Sequence, residues 1–373
     1  MRRFKFLNYL PLVFAIAIVV NFIFANRGMW LAKYDGDYWW NHYEQSQYTQ
    51  GEHSSFILSD SEYNAVKGYR LVIKGDDPST FPAGHPPLAT YFIGLSIYLF
   101  GNPYILSLLA GLLVIFFFFK ISWLVTHQVL PSALITLLFA SEPLLLSQFN
   151  DSLLDIYQLL FALIAIFLYF QWLKSSKTYM LLMSQFPLGL MLSTKFFLGS
   201  LPLVGALLLT TVFTGNFRRF THHTLALILV AIGFAIGHLT YFFFHPSIVD
   251  FFRYQRYLLS WWAGSSQVPP FQVFDLIFNN SWHTWWGDKA IIQVPEWRLT
   301  WPVITALSIF AFPLSIIKKN LPFLSLCLWL IPTFILFSFS AVFPRHLLLV
   351  FPALYLLSVS TITLLPHLPN ETN

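Results

Sequence analysis

Apolar residues in this chain come in long blocks instead of alternating with polar ones. Blocks run over 6–25, 104–126, 129–149, 152–173, 178–194, 196–214, 222–244, 301–317, 321–341 and 345–366. A helix of about 20 apolar residues crosses the ~30 Å hydrocarbon layer of a bilayer. A helix also satisfies its own backbone polar groups there. The block at 88–100 is too short to span comfortably and reads as a re-entrant or interfacial helix. Two polar segments, 26–87 and 245–300, interrupt the pattern. No internal repeat or low-complexity tract divides the chain, so residues 1–373 read as one all-α polytopic membrane domain with about 10–11 transmembrane helices. The two polar segments read as large loops carrying short interfacial helices.

Composition agrees. The chain is 57% hydrophobic and 10% charged, where a soluble domain carries roughly a quarter charged residues. The single cysteine, Cys327, lies inside an apolar block, so no disulfide belongs to the design. The first block has a long apolar part with no small-x-small cleavage site after it, and reads as a retained helix. The net charge of +5 reports membrane topology, not nucleic-acid binding.

Lys and Arg favour the cytoplasmic side of short loops. With the N-terminus inside and 88–100 not crossing, Arg2/Arg3/Lys5, Lys174/Lys177, Arg218/Arg219 and Lys318/Lys319 all fall inside. The acids then gather on the outer face, Asp35, Asp37, Asp151 and Asp155 among them. Two cations break the rule. Lys195 and Arg345 sit at outer helix ends, flanked by apolar residues. Charges near membrane depth are costly unless paired or solvated, and they mark functional positions.

Five segments carry candidate chemistry. YDGDYWWNHYE (34–44) places Asp35 and Asp37 beside Trp39 and Trp40. It is an ordinary acidic loop with interfacial aromatics, or a source of a general base or a cation ligand. GHPPL (84–88) sets His85 before a proline-started helix, where helix amides favour anions. FNDSLLD (149–155) offers Asp151 as an N-cap or a functional carboxylate, with Asp155 one turn on. LSTKFFLGSLP (192–202) contains Lys195, a snorkelling lysine or a point charge for phosphate. PRHLLLVFP (344–352) contains Arg345, a partner for bilayer or substrate phosphate.

In order and sidedness these segments resemble the GT-C membrane glycosyltransferases of the protein O-mannosyltransferase and lipid A aminoarabinose transferase type, glycosyltransferase family 39. VPEWRLTWPVI (294–304) extends the resemblance. The chain departs from the family pattern with Asp-Gly-Asp where Asp-Glu is usual, and with His346 where Tyr is usual. The resemblance implies a GT-C-like bundle and a polyprenyl-phosphate-linked sugar donor. It implies transfer with inversion to a hydroxyl of a protein, lipid or glycan on the extracytoplasmic face. Asp37 is the expected base, with Asp35 the alternative one slip away. Lys195, Arg345 and His85 are the expected phosphate ligands. Asp151 and Asp155 are supporting residues, or ligands should the enzyme use Mg²⁺ or Mn²⁺. Trp39, Trp40, Trp285 and Trp286 are candidates for stacking on sugar or acceptor. The competing reading is a transporter or flippase of a lipid-linked sugar or another anion. That reading calls for paired repeats and broken helices near the midplane.

Overall fold

The computed structural model describes residues 7–81, 84–195, 199–265, 268–284 and 288–364. The chain is an all-α polytopic membrane protein. Among the described residues six helices are long and apolar enough to cross a membrane.

Helix α1 (Leu10–Ala25) is the least enclosed of the candidate spans. The first polar segment folds into short helices, including α2 (Gly36–Glu44) and α3 (Asp60–Tyr69). α4 (Leu88–Phe100) is the short helix expected from its 13 residues. It lies against α3 at a glycine contact, where a Cβ on Gly94 would fall 2.2 Å from the Gly68 carbonyl oxygen. Small residues allow such backbone approach in the absence of water.

The bundle continues through α5 (Ile105–Thr126), α6 (Val129–Ala140), α7 (Asp155–Ser175), α8 (Thr178–Leu192), α9 (Leu201–Val212) and α10 (Phe217–Gly237). α7 is the most enclosed span, packed between α5 and α8. The block at 129–149 is not one helix. Its first part ends at Ala140, and a short helix begins at Pro143. Glu142 precedes that proline, which disfavours helical backbone, and it is extended at ψ 123°. Its buried carboxylate accepts from Trp301 Nε1 at 3.2 Å, from Thr300 at 3.3 Å and from the Tyr355 hydroxyl. The helical break thereby ties three parts of the bundle together.

The second polar segment carries α11 (Ile248–Ser265), α12 (Gln272–Asn279) and a small hairpin pairing Trp282–His283 with Ile291–Ile292. Its His245 Nε2 meets Asp77 of the first segment at 2.6 Å, joining the two loops. α13 (Thr300–Ile317) and α14 (Leu321–Ser338) follow. The block at 345–366 opens as a 3₁₀ turn, Pro344–Leu349, before α15 (Phe351–Leu364). One large apolar core runs through the bundle. A second, smaller one lies under the first polar segment, built on Tyr43, Leu58, Tyr63, Val66, Leu71 and Phe81.

Candidate active site

A cleft of about 740 Å³ opens between the first polar segment and the ends of the bundle helices. The ends of several elements bring its polar side chains together. His85 comes from the approach to α4, Asp151 and Asp155 from the start of α7, Lys195 from the end of α8, and Arg345 from the 3₁₀ turn before α15. These five residues, scattered over 261 positions of sequence, all line the cleft.

The charges are paired inside it. Asp155 opens α7 and accepts from Lys195 Nζ, and both residues are buried, at 7% and 8% exposure. Arg345 Nε lies 3.6 Å from the same carboxylate. The Arg345 guanidinium also donates to Asp60. Its central carbon sits 3.9 Å from the Phe343 ring centroid, a cation–π contact. The Asp60 carboxylate accepts a further bond from the Tyr48 hydroxyl at 3.2 Å.

Asp60 escapes sequence inspection, but local chemistry places it. Ser59 and Glu62 form a reciprocal capping box, with the Ser59 amide donating to Glu62 at 2.8 Å and the Glu62 amide to Ser59 at 3.3 Å. This is the Ser-x-x-Glu signature of a helix start. It puts Asp60 in the first turn, where the helix dipole favours an acid. The stretch Ser59-Asp-Ser-Glu62 was thus the available signal. Ser61, next along, accepts from the Ser152 amide at 2.8 Å and fastens α3 to the segment that carries Asp151.

Asp35 and Asp37 do not line the cleft. Asp35 caps α2, accepting from the Tyr38 amide at 3.0 Å. Asp37 lies exposed in the first turn of the same helix. Trp39 and Trp40 pack against the smaller core, and the Arg70 guanidinium carbon lies 4.1 Å from the Trp40 ring centroid. Trp285 and Trp286 lie outside the described residues. Trp282 and Trp297 donate to backbone carbonyls of Val342 and Ile277, each at 2.9 Å.

Burial sets the protonation of the cleft. It pushes the Asp151 carboxyl above its ordinary range, opposed by Arg345 and a bond from Ser61. It draws Lys195 below the usual lysine value, while Asp155 pulls it back. It draws His85 well below the usual histidine value, helped by Lys195, Lys67 and Arg345. His85 is therefore a neutral imidazole, able to donate one hydrogen bond and accept another. Among the described residues no three His, Cys, Asp or Glu side chains are arranged to hold a metal ion. Asp60 and Asp155 turn instead to Arg345 and Lys195.

No protein-family model matches the sequence. No curated protein matches it either. Solved structures do resemble the fold. ArnT from Cupriavidus metallidurans in the apo state superposes with a TM-score of 0.63 at 16% identity, covering 94% of this chain and 60% of that one. The same protein bound to undecaprenyl phosphate gives 0.61 at 15% identity with the same coverage. The apo oligosaccharyltransferase of Archaeoglobus fulgidus gives 0.51 at 12% identity, covering 80% of this chain and 46% of that one. The chain thus spans about three-fifths of the ArnT structures it matches. The helical architecture that the sequence resemblance implies is the one shared with these structures.

Proposed function

We propose that this chain is a membrane glycosyltransferase that moves a sugar from a polyprenyl-phosphate-linked donor to an acceptor hydroxyl. The observation that carries the reading is the cleft itself. It gathers Asp60, Asp151, Asp155, His85, Lys195 and Arg345 in one concave site. The fold is shared with a transferase solved with undecaprenyl phosphate bound.

The donor phosphate is bound beside Arg345 and Lys195, with neutral His85 donating a hydrogen bond. The acceptor oxygen attacks the anomeric carbon from the face opposite the phosphate. A C–O bond forms there, and the bond from carbon to phosphate oxygen breaks with its electron pair going to the phosphate. Inverting displacement at a sugar needs the base and leaving group on opposite faces, as in inverting glycosidases. Asp60 takes the acceptor proton. Its side chain is 42% exposed and thus accessible from the open cleft. Charge builds on the departing polyprenyl phosphate, and fixed cations stabilise charge that develops in the transition state. Asp155 holds Lys195 and Arg345 in place without itself reacting. The topology of basic loops supports an active site on the extracytoplasmic face.

The test uses purified protein in lipid with a panel of polyprenyl-phosphate sugars and an acceptor lysate. Release of polyprenyl phosphate that Asp60→Asn abolishes is the expected result. Uptake of donor with the sugar–phosphate bond intact, for every donor offered, would replace the enzyme with a transporter.

A further inference from the structure

The two cations that line the cleft already have carboxylate partners. Lys195 meets Asp155, and Arg345 meets Asp60 and Asp155. Lys67 has none. It follows Asn64 by three residues and Tyr63 by four on α3, and both of those line the cleft. That spacing puts it on their face of the helix one turn further along, next to but outside the set of residues that line the cleft. It is 2% exposed. Among the described residues no carboxylate pairs with it, and its ammonium lies 5.9 Å from the Phe81 ring centroid. Its charge is felt by His85 in the cleft wall, together with those of Lys195 and Arg345. A lysine is almost never fully buried unless paired, because removing its charge from water without a counter-charge is expensive.

We propose that Lys67 is a further anion-binding residue of this cleft, supplying beside His85 the uncompensated positive charge that receives the phosphate of a lipid-linked substrate. The identity of the anion as a lipid phosphate rests on the function proposed above; the need for an anion rests on the burial and pairing of Lys67 alone. Burial draws the ammonium down to about 8, so the side chain sits near its own titration point, and an arriving phosphate favours the charged form. A purely structural Lys67 would serve only to cover Phe81.

Binding to the full chain in nanodiscs separates these roles. The probes are undecaprenyl phosphate, uncharged undecaprenol and inorganic phosphate. The variants are Lys67→Met, which keeps the bulk, and Lys67→Arg, which keeps the charge, with Lys67→Gln in reserve should Met fail to fold. Thermal melting verifies that each variant is folded. The expected result is that Lys67→Met weakens undecaprenyl phosphate binding roughly 10- to 100-fold, the range for a lost hydrogen bond to a charged group. Undecaprenol binding stays unchanged, and Lys67→Arg recovers most of the loss. Native-like affinity for undecaprenyl phosphate in folded Lys67→Met overturns the assignment. If the native chain takes inorganic phosphate but not undecaprenyl phosphate, the functional reading falls. The Lys67 assignment then stands or falls on whether Lys67→Met loses inorganic phosphate. A native chain that binds neither sinks both.

Discussion

Arg345 and Asp60 form an ion pair across 285 residues of sequence. One sits in the turn before the last helix and the other in the first turn of α3. The pair bridges the first polar segment and the end of the bundle at the cleft wall. It also places an acid of that segment among the cations gathered from the spans.

The first prediction follows from that placement. Asp60→Asn lowers sugar transfer by ~10²–10⁴-fold, the usual contribution of a general base. Asp37→Asn and Asp35→Asn leave the rate within a few fold, since neither residue lines the cleft. Single-turnover release of polyprenyl phosphate measures all three. A larger loss in Asp37→Asn than in Asp60→Asn would return the base to the second helix.

Lys195 and Asp155 supply the second. Both are buried, so deleting Asp155 strands Lys195, while deleting Lys195 leaves Asp155 only the more distant Arg345. Lys195→Met or Asp155→Leu alone costs about 3–5 kcal/mol of stability. The double replacement costs less than the sum of the singles, because it leaves no stranded charge. Thermal melting of the four proteins in one detergent closes the cycle, and strict additivity would mean that the two charges do not interact.

A third concerns the contact between α3 and α4. Gly94→Ala drives a methyl to within 2.2 Å of the Gly68 carbonyl oxygen, which is backbone and cannot step aside. Overpacking of this kind costs typically 1–3 kcal/mol. Because α3 carries Asp60, the variant also loses activity at temperatures where it remains folded. Gly28→Ala, with open space around its Cβ position, is the matched control.

The fourth is a pH dependence with a definite sign. Burial lowers Lys67 from 10.5 to about 8. Between those values the unfolded chain still holds a proton that the folded chain has released. Stability therefore rises with pH across that window. Below about pH 8 the full cost of burying the ammonium is felt. Lys67→Met removes this contribution, so the native and variant stability curves converge as pH rises from 8 toward 10.5. Parallel curves over that range would mean that Lys67 is not desolvated. His85, the other titrating group its charge reaches, is neutral throughout the window.

Much of the architecture was legible in the order of residues. The helical blocks, the short helix at 88–100 and the gathering of His85, Asp151, Asp155, Lys195 and Arg345 all follow from one contrast. Apolar stretches long enough to span lipid must be helices, and charges left at their ends on one side must meet or face water. The failures have equally specific causes. The 129–149 block breaks where Pro143 holds Glu142 extended, and the Glu142 carboxylate then meets Trp301 and Tyr355, partners that nothing near 142 in sequence announces. Asp60 sits inside an ordinary helix cap, and its pairing with Arg345 is visible only in the folded chain.

What the sequence by itself determined was therefore the class of protein, its helical blocks and the charged residues left at their ends. These depend on hydropathy and on the cost of charge in lipid, both local properties of residues. Only the tertiary structure decided which acid meets Arg345 and that Lys67 is left without a carboxylate among the described residues. Pairing of charges is set by distance and burial, and those exist only once helices far apart in the chain have packed.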